Sequence, residues 1–106
     1  MTGQAFHQLM LGKWGRSYDV QLRKTQGKIF VQIMWKFWGQ ASYPRGLEAH
    51  LEHLTEVGNY IQALGMVESF QAAVSQAKGH PRIGKAISIP LDVDLGDRAS
   101  EWMLND

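Results

Sequence analysis

"GKIFVQIMWKFW", Gly27 to Trp38, holds eight apolar residues in twelve. They satisfy neither regular structure on one face alone. Read as a strand, it places Ile29, Val31, Ile33, Trp35 and Phe37 on one face, dominated by β-branched and aromatic side chains. The opposite face interleaves Phe30, Met34 and Trp38 with Lys28, Gln32 and Lys36, so it is neither fully apolar nor fully polar. A helical reading would instead stripe Phe30, Met34 and Phe37 or Trp38. The residues just before decide for the strand: Tyr18, Val20 and Leu22 alternate with Asp19, Gln21 and Arg23. "KTQG", Lys24 to Gly27, then supplies a short loop ending in glycine, so the two runs form a hairpin.

Working outward, Thr2 is placed to cap a helix over residues 3–14 that carries Phe6, Leu9, Met10 and Trp14 at helical spacing, with Gly15 as its left-handed end. After "ASYPRG", a second amphipathic stripe runs through Leu47, Leu51, Leu54, Gly58 and Ile61, with acids near its start. Gly65 interrupts it. A third stripe, Val67, Phe70, Ala73, Val74 and Ala77, ends by Gly79 and Pro81. "IGKAISIPLDV" alternates Ile83, Lys85, Ile87, Ile89 and Leu91 with small residues, and Pro90 makes it an edge strand or ends it. The expected fold is α+β: one small domain over residues 1–106, in the order helix, β-hairpin, two helices, strand and tail, with helices packed on a small, mainly antiparallel sheet. The acidic tail, residues 92–106, is expected to dock through Trp102 and Leu104; either it or one of the helices offers a way of covering the hairpin's second face.

Composition narrows the chemistry. The 106 residues contain no cysteine, which excludes disulfides, thiolate metal sites and cysteine nucleophiles. The N-terminal stretch has no basic leader ahead of a continuous apolar run, and no later run approaches the roughly 18 apolar residues of a membrane span. The expectation is a soluble protein. The formal charge of +1 conceals an asymmetry: residues 1–45 hold seven Lys or Arg against Asp19 alone, while residues 92–106 hold five acids against Arg98.

Several short motifs suggest chemistry that their surroundings do not support. "GHPRIGKA" resembles a phosphate-binding loop, but Ala86 stands where that loop needs a hydroxyl, and the motif requires a strand before and a helix after, the reverse of the order here. "DVDLGD" lacks the spacing of a calcium loop, because Met103 replaces its closing glutamate. His50 and His53 are three apart on a helix, but nothing in the sequence brings a third ligand from His7, His80 or elsewhere, so they are expected at the solvated rim of the stripe and no metal or cofactor is assigned. Gly27, Phe30 and Val31 match the signature strand of RNA-recognition domains, whereas Gln26, Lys28 and Ile33 do not, and no helix separates the first two strands, so no nucleic-acid partner is expected. No elbow or helix motif places a nucleophile beside a base, so no catalytic residue is assigned.

"KWGRSYDVQL", "TQGKIFVQIMWK", "LEHL", "PRIGKAISIPLD" and "RASEW" together resemble the family catalogued as domain of unknown function 3067, of cyanobacteria and plastid-bearing eukaryotes. The resemblance runs from Leu9 to Trp102 and implies a protein of the cyanobacterial cytosol with plastid relatives. It carries over no catalytic, metal or cofactor residue. Two functions follow as expectations. The first is a non-catalytic protein-binding or assembly module using Phe30, Met34 and Trp38 framed by Lys28 and Lys36. The alternative is a small-anion-binding protein or enzyme in which Arg23, Arg82 and Lys85 converge on a basic pocket.

Overall fold

The computed structural model describes residues 1–91; the tail reading, with Trp102 and Leu104, and the "DVDLGD" segment lie outside the described residues. The elements are α1 (Gly3–Trp14), β1 (Tyr18–Thr25), β2 (Lys28–Phe37), α2 (Leu47–Ala63), α3 (Val67–Gln76) and β3 (Ile87–Pro90). The α+β expectation and its element order hold.

Local chemistry explains most boundaries. The Thr2 hydroxyl accepts from the Ala5 N–H and caps α1, which ends at Gly15 with φ +75°. The hairpin turn is tighter than the four-residue loop expected from "KTQG": Lys24 and Thr25 belong to β1, and only Gln26 and Gly27 turn, with φ of 53° and 76°. Two left-handed residues match the right-handed twist of the strands, and glycine carries the second at no steric cost. Gly65 ends α2 with φ +69°, as expected.

The sheet has order β1-β2-β3, all antiparallel. Val31 in β2 pairs with Leu22 and Ile89, and Ile33 pairs with Val20 and Ile87, so β2 is the central strand. Val20, Val31, Ile33 and Ile89 join Phe6 and Met10 of α1, Leu54, Val57 and Ile61 of α2, and Phe70 and Val74 of α3 in a single core. Val31 and Ile33 are completely buried, and burial of each stabilises the fold by about 1.5–3 kcal/mol. Near its end β2 carries extra residues: Tyr18 pairs with Phe37 but Val20 with Ile33, so Met34, Trp35 and Lys36 bulge opposite Asp19.

The last strand differs from expectation. The alternation predicts a strand through Ile83 and Lys85, but β3 begins at Ile87 and Ile83 is 87% exposed. Arg82 and Lys85 instead exchange two backbone hydrogen bonds, Arg82 N–H to Lys85 C=O at 3.0 Å and the reverse at 2.7 Å. That closes a miniature hairpin with Ile83 and Gly84 at its tip. Gly84, at φ +77°, supplies a turn conformation that β-branched residues avoid, and alternation cannot register such a reversal.

Helices α1 and α2 meet where no side chain fits. A Cβ on Gly3 would stand 2.2 Å from the Leu51 carbonyl oxygen and 2.3 Å from the Thr55 hydroxyl, which accepts the Gly3 N–H at 3.1 Å. Gly12, in the same helix, faces open space. Gly3→Ala is therefore expected to destabilise the protein by about 1–3 kcal/mol through forced separation of the helices. Gly12→Ala is expected to stabilise it by about 0.5–1 kcal/mol through helix propensity alone. Urea denaturation midpoints of the two variants check both signs.

Candidate functional site

The sheet's two faces are unequal. All three helices contribute to the core on the Val31 and Ile33 face. The opposite face bears a polar ladder across the three strands, in which Arg23 Nε donates to Gln32 Oε1 at 3.1 Å and Gln32 Nε2 donates to Ser88 Oγ at 3.2 Å. Beside it Phe30 lies between Arg23 and Pro90 on the neighbouring strands and is half-buried, as is Met34. Lys28 and Lys36 are exposed. At the bulge, Met34, Trp35 and Lys36 with Asp19 and Gln21 line a cavity of about 220 Å³. Trp38 does not extend this row. It falls one residue beyond β2, its ring stands edge-on to His7 of α1 at 5.9 Å, and its backbone N–H donates to the Ser17 carbonyl.

The proposed trio of Arg23, Arg82 and Lys85 is divided. Arg82 and Lys85 line one cavity of about 430 Å³ with Lys78, Gly79, His80, Ala86 and Ile87. Arg23 is engaged with Gln32 on the sheet face away from the helices and does not line it. In its place an adjoining cavity of about 530 Å³, sharing Gly79 and His80, brings Lys13 and Arg16 with Trp14 and Tyr18. Periodicity could not bring the end of α1 beside the loop after α3; the Trp14 indole N–H does so, donating to the Gly79 carbonyl at 2.9 Å, and Lys13 Nζ donates to the Ser75 carbonyl at 2.8 Å.

A third arrangement was absent from the sequence reading. Ser17 Oγ lies 2.7 Å from His7 Nδ1 and 2.7 Å from His50 Nε2, and His50 Nδ1 lies 2.8 Å from the Tyr43 hydroxyl. Arg45 Nη1 donates to Asp19 Oδ1 at 3.0 Å and to the Tyr43 oxygen at 3.4 Å. Because arginine only donates, the chain has one fully satisfied direction: Tyr43 O–H to His50, His50 Nε2–H to Ser17, Ser17 O–H to His7. A hydroxyl between two imidazoles has the makings of an activated nucleophile. Yet Ser17 is 1% exposed and His50 is completely buried, which leaves no room for a substrate at Oγ. The set is a structural polar core, and no buried side-chain polar atom among the described residues lacks a partner.

His50 thus departs from its expected place at the solvated rim. It occupies the core because two polar partners outside α2, Ser17 and Tyr43, receive it, and α2 periodicity shows neither of them. His53 is half-buried, with Nε2 on the Val20 carbonyl at 2.6 Å and 3.6 Å from Asp19. Among the described residues no three His, Asp or Glu side chains converge as a metal site would require.

The geometry defines a small α+β domain with three helices on one sheet face, a polar core and a basic end. The chain belongs to the family described as domain of unknown function (DUF3067), whose model matches residues 4–103. It is similar to a protein of the cyanobacterium Nostoc sp. strain PCC 7120 solved by solution NMR, with 55% identity, 97% of each chain covered and a TM-score of 0.85. No curated protein matches it.

Burial lowers the pKa of His50 to about 4, helped by the neighbouring His7 and opposed by Asp19, and burial lowers that of His7 as well. Burial pushes the Tyr43 hydroxyl up, which keeps it a donor. A second proton on His50 would set its Nδ1–H against the Tyr43 O–H. Because the folded value lies below the ordinary 6.5, the neutral imidazole's contribution is complete above pH 6.5 and is lost as pH falls toward 4. The loss is about 3 kcal/mol by linkage. Chemical denaturation across this range should show that acid limb, and His50→Gln should flatten it while lowering stability at pH 7. Ser17→Ala, which strands two ring nitrogens, is expected to cost about 1–3 kcal/mol at pH 7.

Proposed function

We propose that this domain is a non-catalytic protein-binding or assembly module of the oxygenic photosynthetic lineage. It acts in the cyanobacterial cytosol, with counterparts in plastids, and contacts its partner through the open face of the sheet. One observation carries the reading: among the described residues all three helices pack on one face, and the other presents half-buried Phe30 and Met34 framed by Arg23, Lys28 and Lys36. An apolar centre with a cationic rim suits a partner with an apolar patch bordered by carboxylates. The lineage rests on the likeness to the Nostoc protein and on the family blocks in the sequence. The non-catalytic character is supported by the burial of Ser17 between His7 and His50, where a substrate has no access.

The test compares capture from cyanobacterial lysate by the wild-type protein and by a Phe30→Glu, Met34→Glu variant, after denaturation midpoints establish that both fold. An acidic protein held by the first should be lost from the second, with affinity falling at least about tenfold, or 1.4 kcal/mol, and weakening as salt rises. Equal capture by both folded baits removes the sheet face from the proposal.

A further inference from the structure

The residue least explained by the fold is Ile83. A branched aliphatic side chain, 87% exposed, stands at the tip of the Arg82–Lys85 hairpin. The tip is not a loose loop: two backbone hydrogen bonds close it, Pro81 at its base is buried, and the Trp14 indole ties Gly79 to α1. Exposing isoleucine there contributes nothing to the core, and a polar residue would serve the turn equally well.

The surroundings are cationic. Lys78, His80, Arg82 and Lys85 line the cavity beneath the tip, Lys13 and Arg16 line the adjoining one, and among the described residues no acid lines either. Residues 1–91 hold five acids, of which Glu48, Glu52 and Glu56 belong to α2, Glu68 opens α3, and Asp19 is paired with Arg45. Lys13 is partly accounted for, since it stands in the last turn of α1, at the carbonyl end. Arg82 and Lys85 are not, because they flank the tip and form no ion pair among the described residues.

A protein interface would surround such an anchor with further apolar or aromatic side chains. Among the described residues Ile83 projects at the tip with cations at its flanks and half-buried Ala86 and Ile87 behind, while the aromatics of the adjoining cavity, Trp14 and Tyr18, are half-buried and buried. This arrangement matches a bilayer surface instead, where lysine and arginine meet headgroup phosphates and a single aliphatic side chain enters the acyl boundary. From this geometry we propose that the Arg82–Lys85 hairpin docks the protein peripherally on anionic phospholipid membranes, with Ile83 inserted and Lys78, Arg82 and Lys85 on the headgroups. The site is separate from the open sheet face and does not depend on the reading of that face.

Co-sedimentation of the whole chain with vesicles tests it, comparing phosphatidylglycerol mixed into phosphatidylcholine with phosphatidylcholine alone. The wild type should bind the first, salt-sensitively, and not the second. Ile83→Ser keeps the charge and, being exposed, the denaturation midpoint; it should weaken binding about tenfold. Arg82→Gln with Lys85→Gln should weaken it about thirtyfold. Four results would each overturn the proposal: no binding to anionic vesicles, binding by Ile83→Ser equal to wild type, displacement by millimolar inorganic phosphate in both, or an Ile83-dependent protein complex without any vesicle binding. The third would make the cavity a small-anion site, and the fourth would make the tip a protein anchor.

Discussion

An uncharged imidazole at the centre of the molecule, His50, is the constraint around which the rest is arranged. It accepts from Tyr43 and donates to Ser17, and Ser17 in turn reaches His7, so the segment entering α2, the segment entering β1, and helices α1 and α2 are fixed to one another by directional bonds. Hydrophobic burial alone would allow α1 to slide on α2. A hydrogen-bonded polar core penalises each misregistered packing by an unpaired buried group, and so selects one arrangement. Close contact at Gly3, where the backbone of α1 rests on Leu51 and Thr55, adds a steric limit to the same interface.

With three helices committed to one sheet face, the molecule presents two unlike surfaces. Its face away from the helices is crossed by Arg23, Gln32 and Ser88, with Phe30 and Met34 beside them. Its basic end gathers cations from α1 and from the loop following α3, because Trp14 joins the two. Of the five acids among the described residues, three lie on α2. Charge separation of this kind orients an approaching anionic surface before contact, an effect that fades with salt.

Most of the architecture was legible in the sequence. Each helix carried an apolar stripe of its own period, Gly15 marked an end that requires a left-handed residue, Gly65 marked an interruption, and the alternation in β1 and β2 identified the hairpin and its buried face. Errors arose where a local rule met a local exception. Ile83 continued the alternation in sequence while the backbone reversed at Gly84, and Trp38 continued the parity of β2 beyond the strand's end. Of the candidate site residues, Phe30, Met34, Lys28 and Lys36 fall on or beside the open face, whereas Arg23 parts from Arg82 and Lys85.

The sequence by itself determined element types, their order and which face of each is apolar, because these depend on residue periodicity and on the φ angles that glycine permits. Only the tertiary structure decided that His7, Ser17, Tyr43 and His50 form one buried chain, and that Lys13 and Arg16 stand beside Lys78 and Arg82. The reason is physical: polar side chains carry no periodic signature, and whether a histidine is solvated at a rim or neutral in a core depends on partners far away in sequence. Those partners exist only after the helices have docked.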